Sequence, residues 1–191
     1  MIPAKAARTS TQASARSVLP ASADMSVAPL QAIPSLLREF GVEPWSVLER
    51  AGVDRGALAD ASSRVPFDLV GRLIVECVAA SACPHFGLLL GIRSGPAAAG
   101  IAGHLFRHAE SVHAALRLFI AHLHLHDRGG VVALNLHGAE DVELSYLIHH
   151  PNTPGTAQIL DASIAIACSV MRCLCGARWA PSEVMLSRDR P

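Results

Sequence analysis

The sequence has few aromatic residues and no excess of charge of either sign. Phe, Trp and Tyr together make up 4% of the 191 residues, so aliphatic side chains must supply most of the core. Sixteen basic residues balance sixteen acidic ones. Nucleic-acid-binding proteins usually carry a basic patch, because contacts with phosphates supply much of their affinity. The sequence therefore gives no indication that this chain binds DNA by itself.

Uninterrupted apolar runs long enough to cross a membrane are also lacking. A membrane-spanning helix needs about 20 consecutive apolar residues, and the best candidate, residues 159–175, is interrupted by Asp161 and Arg172. The five cysteines are an odd number, and three of them lie within apolar helical patterns, which is typical of a reducing compartment. These features predict a soluble, cytoplasmic protein that does not interact with membranes.

Motifs of known catalytic and cofactor sites are missing as well. The sequence contains no Gly-x-Ser-x-Gly nucleophile elbow, no Gly-rich phosphate loop and no dinucleotide-binding fingerprint. We therefore predict neither an enzymatic activity nor a cofactor. Hydrophobic residues nevertheless make up 51% of the chain, which indicates a folded, globular protein.

The pattern of hydrophobic residues predicts an α+β fold. Residues 1–28 are rich in Ala, Ser and Thr without a hydrophobic period, which predicts a disordered leader or, alternatively, a transit peptide. Residues 29–191 are predicted to form one domain with a mainly helical N-terminal half. An antiparallel hairpin is predicted around the turn 137–141, followed by a helix over 154–175 and a strand over 183–187.

Five segments of this domain, taken in order, resemble one family. They are 37–44 (LREFGVEP) with 47–53 (VLERAGV), 64–67 (RVPF), 84–91 (PHFGLLLG), 100–103 (GIAG) with 111–117, and 179–184 (WAPSEV). Their order and spacing resemble the "arabinose-binding" type of N-terminal domain in AraC/XylS-family bacterial transcription regulators. Many of the matched positions are glycines that suit helix ends and prolines that suit helix starts. Gly87 and Gly91 lie four residues apart, which would let a neighbouring backbone approach one helix face closely.

The resemblance implies an effector-sensing and dimerisation domain. Its partners would be a small-molecule effector and a second copy of the chain, and the apolar 154–175 helix is a suitable dimerisation surface. Complete members of the family continue with two helix-turn-helix motifs that bind DNA. These motifs are absent from this chain, so we expect DNA contact only through a C-terminal domain missing here. The chain then resembles a fragment or a truncated product of such a regulator.

Histidines supply the candidate site residues, because ten of them are many for this length. His104 and His108 lie four apart in a predicted helix over 100–109, and His122 and His126 do so in a predicted helix over 111–126. No Glu lies inside either pair, so the metalloprotease pattern fails and we predict no metal site. The alternative is that backbone groups satisfy these histidines. The four histidines, together with Asp161 in the long apolar helix, are the candidates for an effector pocket.

Two other functions remain open at this point. One is a structural or dimerisation module that binds no ligand. The other is a metal-dependent enzyme built on the histidines, which would need three or four ligands around the ion. The leading hypothesis is the effector-sensing domain of an AraC-type regulator.

Overall fold

We analysed a computed structural model, which describes residues 23–100, 109–138, 141–150 and 152–187. Within these ranges the chain forms six α-helices and two small antiparallel sheets, so the predicted α+β class is confirmed. The helices are α1 (Ile33–Glu39), α2 (Pro44–Ala51), α3 (Phe67–Ser81), α4 (Phe86–Ser94), α5 (Val112–His122) and α6 (Thr156–Cys175). The strands are β1 (Asp24–Ser26), β2 (Arg64–Pro66), β3 (Gly130–His137) and β4 (Asp141–Ile148). Short 3-10 helices span Ala28–Ala32, Gly95–Ala99 and Leu123–Leu125.

Helix α2 shows how local sequence sets the helix ends. The Glu43 side chain accepts a hydrogen bond from the Ser46 backbone N–H at 2.8 Å, which satisfies one of the free donors of the first turn. Pro44 occupies the first helical position, where its fixed φ suits the helix and no N–H is needed. Gly52 ends the helix with a φ of +78°, a conformation that costs a glycine little.

The main core lies where β1, β2 and helices α1 to α4 meet. Large side chains such as Leu37, Leu48, Phe67 and Phe86 are fully buried there. Strand β1 pairs antiparallel with β2, and Met25 and its neighbours belong to the same core. The folded part therefore begins no later than Ala23, before the boundary expected at residue 28. The sequence concealed this strand, because its pairing partner lies about 40 residues further along the chain.

The close contact between α4 and α6 confirms the expectation drawn from the two glycines. A Cβ at Gly87 would overlap the Gln158 carbonyl oxygen, and one at Gly91 would overlap the Ala162 carbonyl oxygen. Only glycine allows the two helix backbones to approach this closely. The contact positions α6 across the middle of the molecule, with one of its faces against α4.

The predicted hairpin is also confirmed. Strands β3 and β4 pair in register from Gly130 opposite Ile148 to His137 opposite Asp141. Gly138 begins the turn with a φ of +71°. The hairpin packs against α6 through β4.

Other predicted boundaries need correction. The segment 183–187 is irregular and not a strand, because no described strand pairs with it. Helix α5 ends at His122 and a 3-10 turn follows, so the predicted helix through residue 126 is too long. Most of the helix predicted over 100–109 lies outside the described residues.

Helix α6 is long and apolar enough to cross a membrane by the criteria of length and composition. Helices α3 and α4 would meet the same criteria only as a pair bent by 112°. A core helix of a soluble protein can satisfy these criteria equally well. Here α6 packs tightly on α4 and contains Asp161, which is buried within the fold.

Candidate functional site

A cavity of about 140 Å³ lies between α6, α5, the β3–β4 hairpin and the main core. One face of α6 forms its longest wall. The residues of this wall recur at helical spacing, which brings them to the same side of the helix. They are Ile159, Ala162, Ser163, Ile166, Ala167, Val170 and Met171, and Ile164 of the same helix also lines the cavity.

Helix α5 and the hairpin close the cavity opposite α6. Leu116 and Phe119 line it from α5, and Ala115 of the same helix packs in a small second core with Val170. From the hairpin, Val132 and Tyr146 line it as a cross-strand pair, so both side chains project from the same face of the sheet. Three elements that are distant in sequence therefore surround one apolar space.

A polar cluster stands at one end of this space, around Asp127. The Asp127 carboxylate is 6% exposed and accepts three hydrogen bonds. Its Oδ1 accepts from the backbone N–H groups of Gly129, at 2.7 Å, and Gly130, at 3.1 Å. Its Oδ2 accepts from the hydroxyl of Tyr146 at 2.5 Å. These donors compensate a buried negative charge that would otherwise be costly.

The two glycines after Asp127 leave room for this arrangement. A Cβ at Gly130 would overlap the ring of Tyr146, and one at Gly129 would overlap the ring of Phe67. The turn can therefore lie flat against both rings while its N–H groups point to the carboxylate. The hydroxyl of Tyr146 connects the hairpin to this turn.

The protonation states of the cluster follow from its burial. Burial raises the pKa of Tyr146 well above its ordinary value, and the nearby Asp127 charge and hydrogen bond act in the same direction. Burial also lowers the pKa of His126, with the Arg64 charge adding to the effect and the Asp127 charge opposing it. At neutral pH the phenol is therefore protonated and the imidazole of His126 is uncharged.

Of the five residues predicted for an effector pocket, only some lie in the part of the chain that the structure describes, and these differ in their position relative to the cavity. His126 lines the cavity. His122 does not belong to the described lining; its Nδ1 bonds the Leu118 carbonyl at 2.8 Å, and its ring stacks on His124. Asp161 is 1% exposed, and it too is outside the described lining. His104 and His108 lie outside the described residues.

The predicted pairing of His122 with His126 fails, because the helix ends between them and they do not share a helical face. Within the described ranges, no group of three or more His, Cys, Asp or Glu side chains could hold a metal ion. The cavity thus brings together one predicted residue, His126, with residues that the sequence did not single out.

Asp127 and Tyr146 were missed by reasoning from the sequence. Two signals pointed to them. An aspartate followed, after one intervening residue, by two glycines, as at residues 127–130, suits a turn in which the carboxylate captures backbone N–H groups. Tyr146 is the single tyrosine of the chain and stands on the face of β4 whose other side chains, at 142, 144 and 148, are aliphatic. Neither signal reveals that the two residues meet.

Comparison with known proteins identifies the class of this fold. The family model described as the arabinose-binding domain of AraC transcription regulators, N-terminal, matches residues 41–191. The match covers most of the chain and includes α2 to α6 and three of the four strands. The chain therefore belongs to this family, and the resemblance drawn from the five segments is confirmed. It is a ligand-sensing type of domain from a transcription regulator, a class that is not typically enzymatic. No curated protein matches the chain.

Proposed function

We propose that this chain is the effector-sensing and dimerisation domain of a cytoplasmic AraC-type regulator. It controls transcription through a DNA-binding domain located elsewhere in the regulator. One observation carries the proposal: an apolar cavity with a polar cluster at one end lies between α5, α6, the hairpin and the main core. Pockets for small molecules typically combine apolar walls with a few placed polar groups.

The position of the cavity supports a sensing role. A molecule bound there contacts α6, α5 and the hairpin at once, so its affinity depends on how these elements are arranged. A ligand shifts a conformational equilibrium by its difference in affinity for the two states. The two-stranded hairpin is the element suited to move, because α6 and the Asp127 turn support one of its faces while its tip is exposed.

Thermal unfolding of the chain with a panel of small molecules, including L-arabinose, tests the proposal. A ligand that binds only the folded state raises its stability. Ala167→Phe places a ring in the cavity, and Ala121→Phe adds the same ring at an exposed position of α5 as the matched control. We expect at least one compound to stabilise the wild type and Ala121→Phe but not Ala167→Phe. Stabilisation that Ala167→Phe retains would place the ligand elsewhere and contradict the role of the cavity.

Homodimerisation is the second part of the proposal. Leu136 and Val142 are paired across the hairpin and are 65% and 56% exposed, so they form an apolar surface on the same sheet face as the cavity. Light scattering on the eluting protein should give twice the 20.1 kDa chain mass. We expect the variant with both residues changed to Lys to be monomeric, whereas Leu125→Lys, at another exposed apolar position, should remain dimeric. A wild-type monomer at all concentrations would contradict dimerisation, and a dimer that no compound affects would favour a ligand-free module.

A further inference from the structure

We infer that the cavity binds a neutral, largely apolar molecule of about one ring in size, carrying a single hydroxyl or N–H donor. This excludes sugars such as arabinose and also carboxylates. The inference rests on the proposed sensing function and specifies the chemical class of its effector. Three features of the cavity carry it: its volume, the composition of its wall and the hydrogen-bonding capacity that the polar cluster has left.

The volume sets the size of the ligand. The cavity measures about 140 Å³. A dry, apolar protein cavity of about 150 Å³ accommodates a benzene molecule. A ligand of about one six-membered ring therefore matches this space in size.

The wall is too apolar for a sugar. Of the 24 described residues that line the cavity, five have polar side chains: His126, Asp127, Ser145, Tyr146 and Ser163. A pentose buries several hydroxyl groups, and each one left without a hydrogen-bond partner costs about 1–3 kcal/mol in a protein interior. The long wall formed by α6 provides mainly aliphatic contacts, with the hydroxyl of Ser163 as its one polar side chain.

Most of the polar side chains are also already engaged. The Tyr146 hydroxyl donates to Asp127, and the Ser163 hydroxyl donates to the Ile159 carbonyl at 2.9 Å. Two of the hydroxyl protons that could bind a ligand's oxygen atoms are thus occupied. Among the described lining residues, His126 and Ser145 remain, and the accepting nitrogen of His126 suits a ligand that brings one donor.

The charge at this end of the cavity discriminates against anions. Asp127 is buried and negative, and the uncharged imidazole of His126 does not offset it. A ligand carboxylate would be repelled by Asp127 and would lose its hydration among aliphatic side chains. A ligand ammonium group is attracted by this charge but would lose most of its hydration among aliphatic side chains, and three of the acceptor positions on Asp127 are already taken, so binding of such a group is also disfavoured. Within the described lining, His126 is a partner for a neutral donor, since a neutral imidazole has one accepting nitrogen.

Calorimetric titration of the chain with five probes tests this inference. The probes are p-cresol, toluene, benzoate, benzylamine and L-arabinose. We expect saturable binding of p-cresol and toluene, with p-cresol binding about 5-fold more tightly because one net hydrogen bond contributes about 1 kcal/mol. Benzoate, benzylamine and L-arabinose should show no saturable binding.

Variants test whether the probes bind in the cavity, and they separate the apolar contribution to binding from the hydrogen bond to His126. Ala167→Phe should lose p-cresol binding, and Ala121→Phe should retain it. If Ala167→Phe is not folded by circular dichroism, Ser163→Leu fills the same space from the same wall. His126→Leu should abolish the preference for p-cresol over toluene while toluene still binds, a result that general destabilisation would not produce.

The outcomes distinguish this inference from the proposed function. Binding of L-arabinose or benzoate that Ala167→Phe abolishes would overturn the chemical class but leave sensing by the cavity intact. Absence of saturable binding by both p-cresol and toluene would also overturn the inference. If p-cresol binds as expected but changes neither the dimer fraction nor hydrogen exchange in the hairpin, the class stands and the sensing function is contradicted.

Discussion

Changing Tyr146 to Phe tests whether one hydrogen bond holds the hairpin to the Asp127 turn. The substitution keeps the ring that packs against Gly130 and removes only the hydroxyl group. That hydroxyl donates to Asp127 Oδ2 at 2.5 Å. Asp127 is 6% exposed, so solvent replaces the lost donor poorly. We therefore expect Tyr146→Phe to destabilise the fold and to loosen the hairpin.

The structure allows the magnitude to be worked out. A hydrogen bond to a charged group contributes about 1.5–3 kcal/mol to the free energy of unfolding. The N–H groups of Gly129 and Gly130 still bind the carboxylate in the variant, which limits the loss. We expect a loss of about 2 kcal/mol, which lowers the Tm by roughly 4–8 °C for a protein of this size.

Urea unfolding followed by circular dichroism measures this effect in a double-mutant cycle with Asp127→Asn. Because the two side chains contact each other, the double variant should be less destabilised than the sum of the single variants, by about 1–2 kcal/mol. Ser35→Ala removes an exposed hydrogen bond, to the Ala32 carbonyl, and should change stability by less than about 0.5 kcal/mol. The reasoning is refuted if Tyr146→Phe resembles this control, or if the two site substitutions are additive.

Two further predictions concern packing and pH. Gly91→Ala should lower the free energy of unfolding by about 1–3 kcal/mol in urea, because the added Cβ overlaps the Ala162 carbonyl. An unchanged or higher stability, as expected from the better helix propensity of alanine alone, would show that α4 and α6 can separate without cost. His126 has a lowered pKa in the folded state, so its contribution to stability is present above its ordinary pKa of about 6.5 and is lost as the pH falls below it. Thermal scans from pH 7.5 to pH 5 should therefore show a smaller fall in Tm for His126→Leu than for the wild type, and equal falls would contradict this.

Much of the secondary structure followed from local signals. Gly52 and the pair Gly87 and Gly91 were interpreted correctly, because helix ends and close helix contacts impose constraints on single backbone positions. Apolar residues occupy every second position over residues 142–148, and this alternation predicted the second strand of the hairpin. The reason is similar, because successive side chains of a strand point to opposite faces of the sheet. The three glycines are also among the positions that carry the family resemblance, so the sequence indicated the family together with the helical part of its architecture.

The errors arose where an element depends on a distant partner. Strand β1 has three residues and forms because β2 and the segment 126–128 lie beside it. The segment 183–187 has the composition of a strand, but no described strand pairs with it. The helix expected to continue to residue 126 stops at His122, after which the chain turns towards Asp127 and the hairpin. Local propensity cannot report such contacts, since they arise only when the chain packs.

The sequence by itself determined the class of fold, the helical and hairpin segments, and the family. It also provided His126 as a candidate, although for a pairing with His122 that does not form. The tertiary structure alone decided that Tyr146 donates to Asp127, 19 residues away, and that both stand at the end of a cavity walled by α6. The physical reason is that periodicity reports which face of an element is apolar, whereas a binding site depends on which faces come to lie opposite one another.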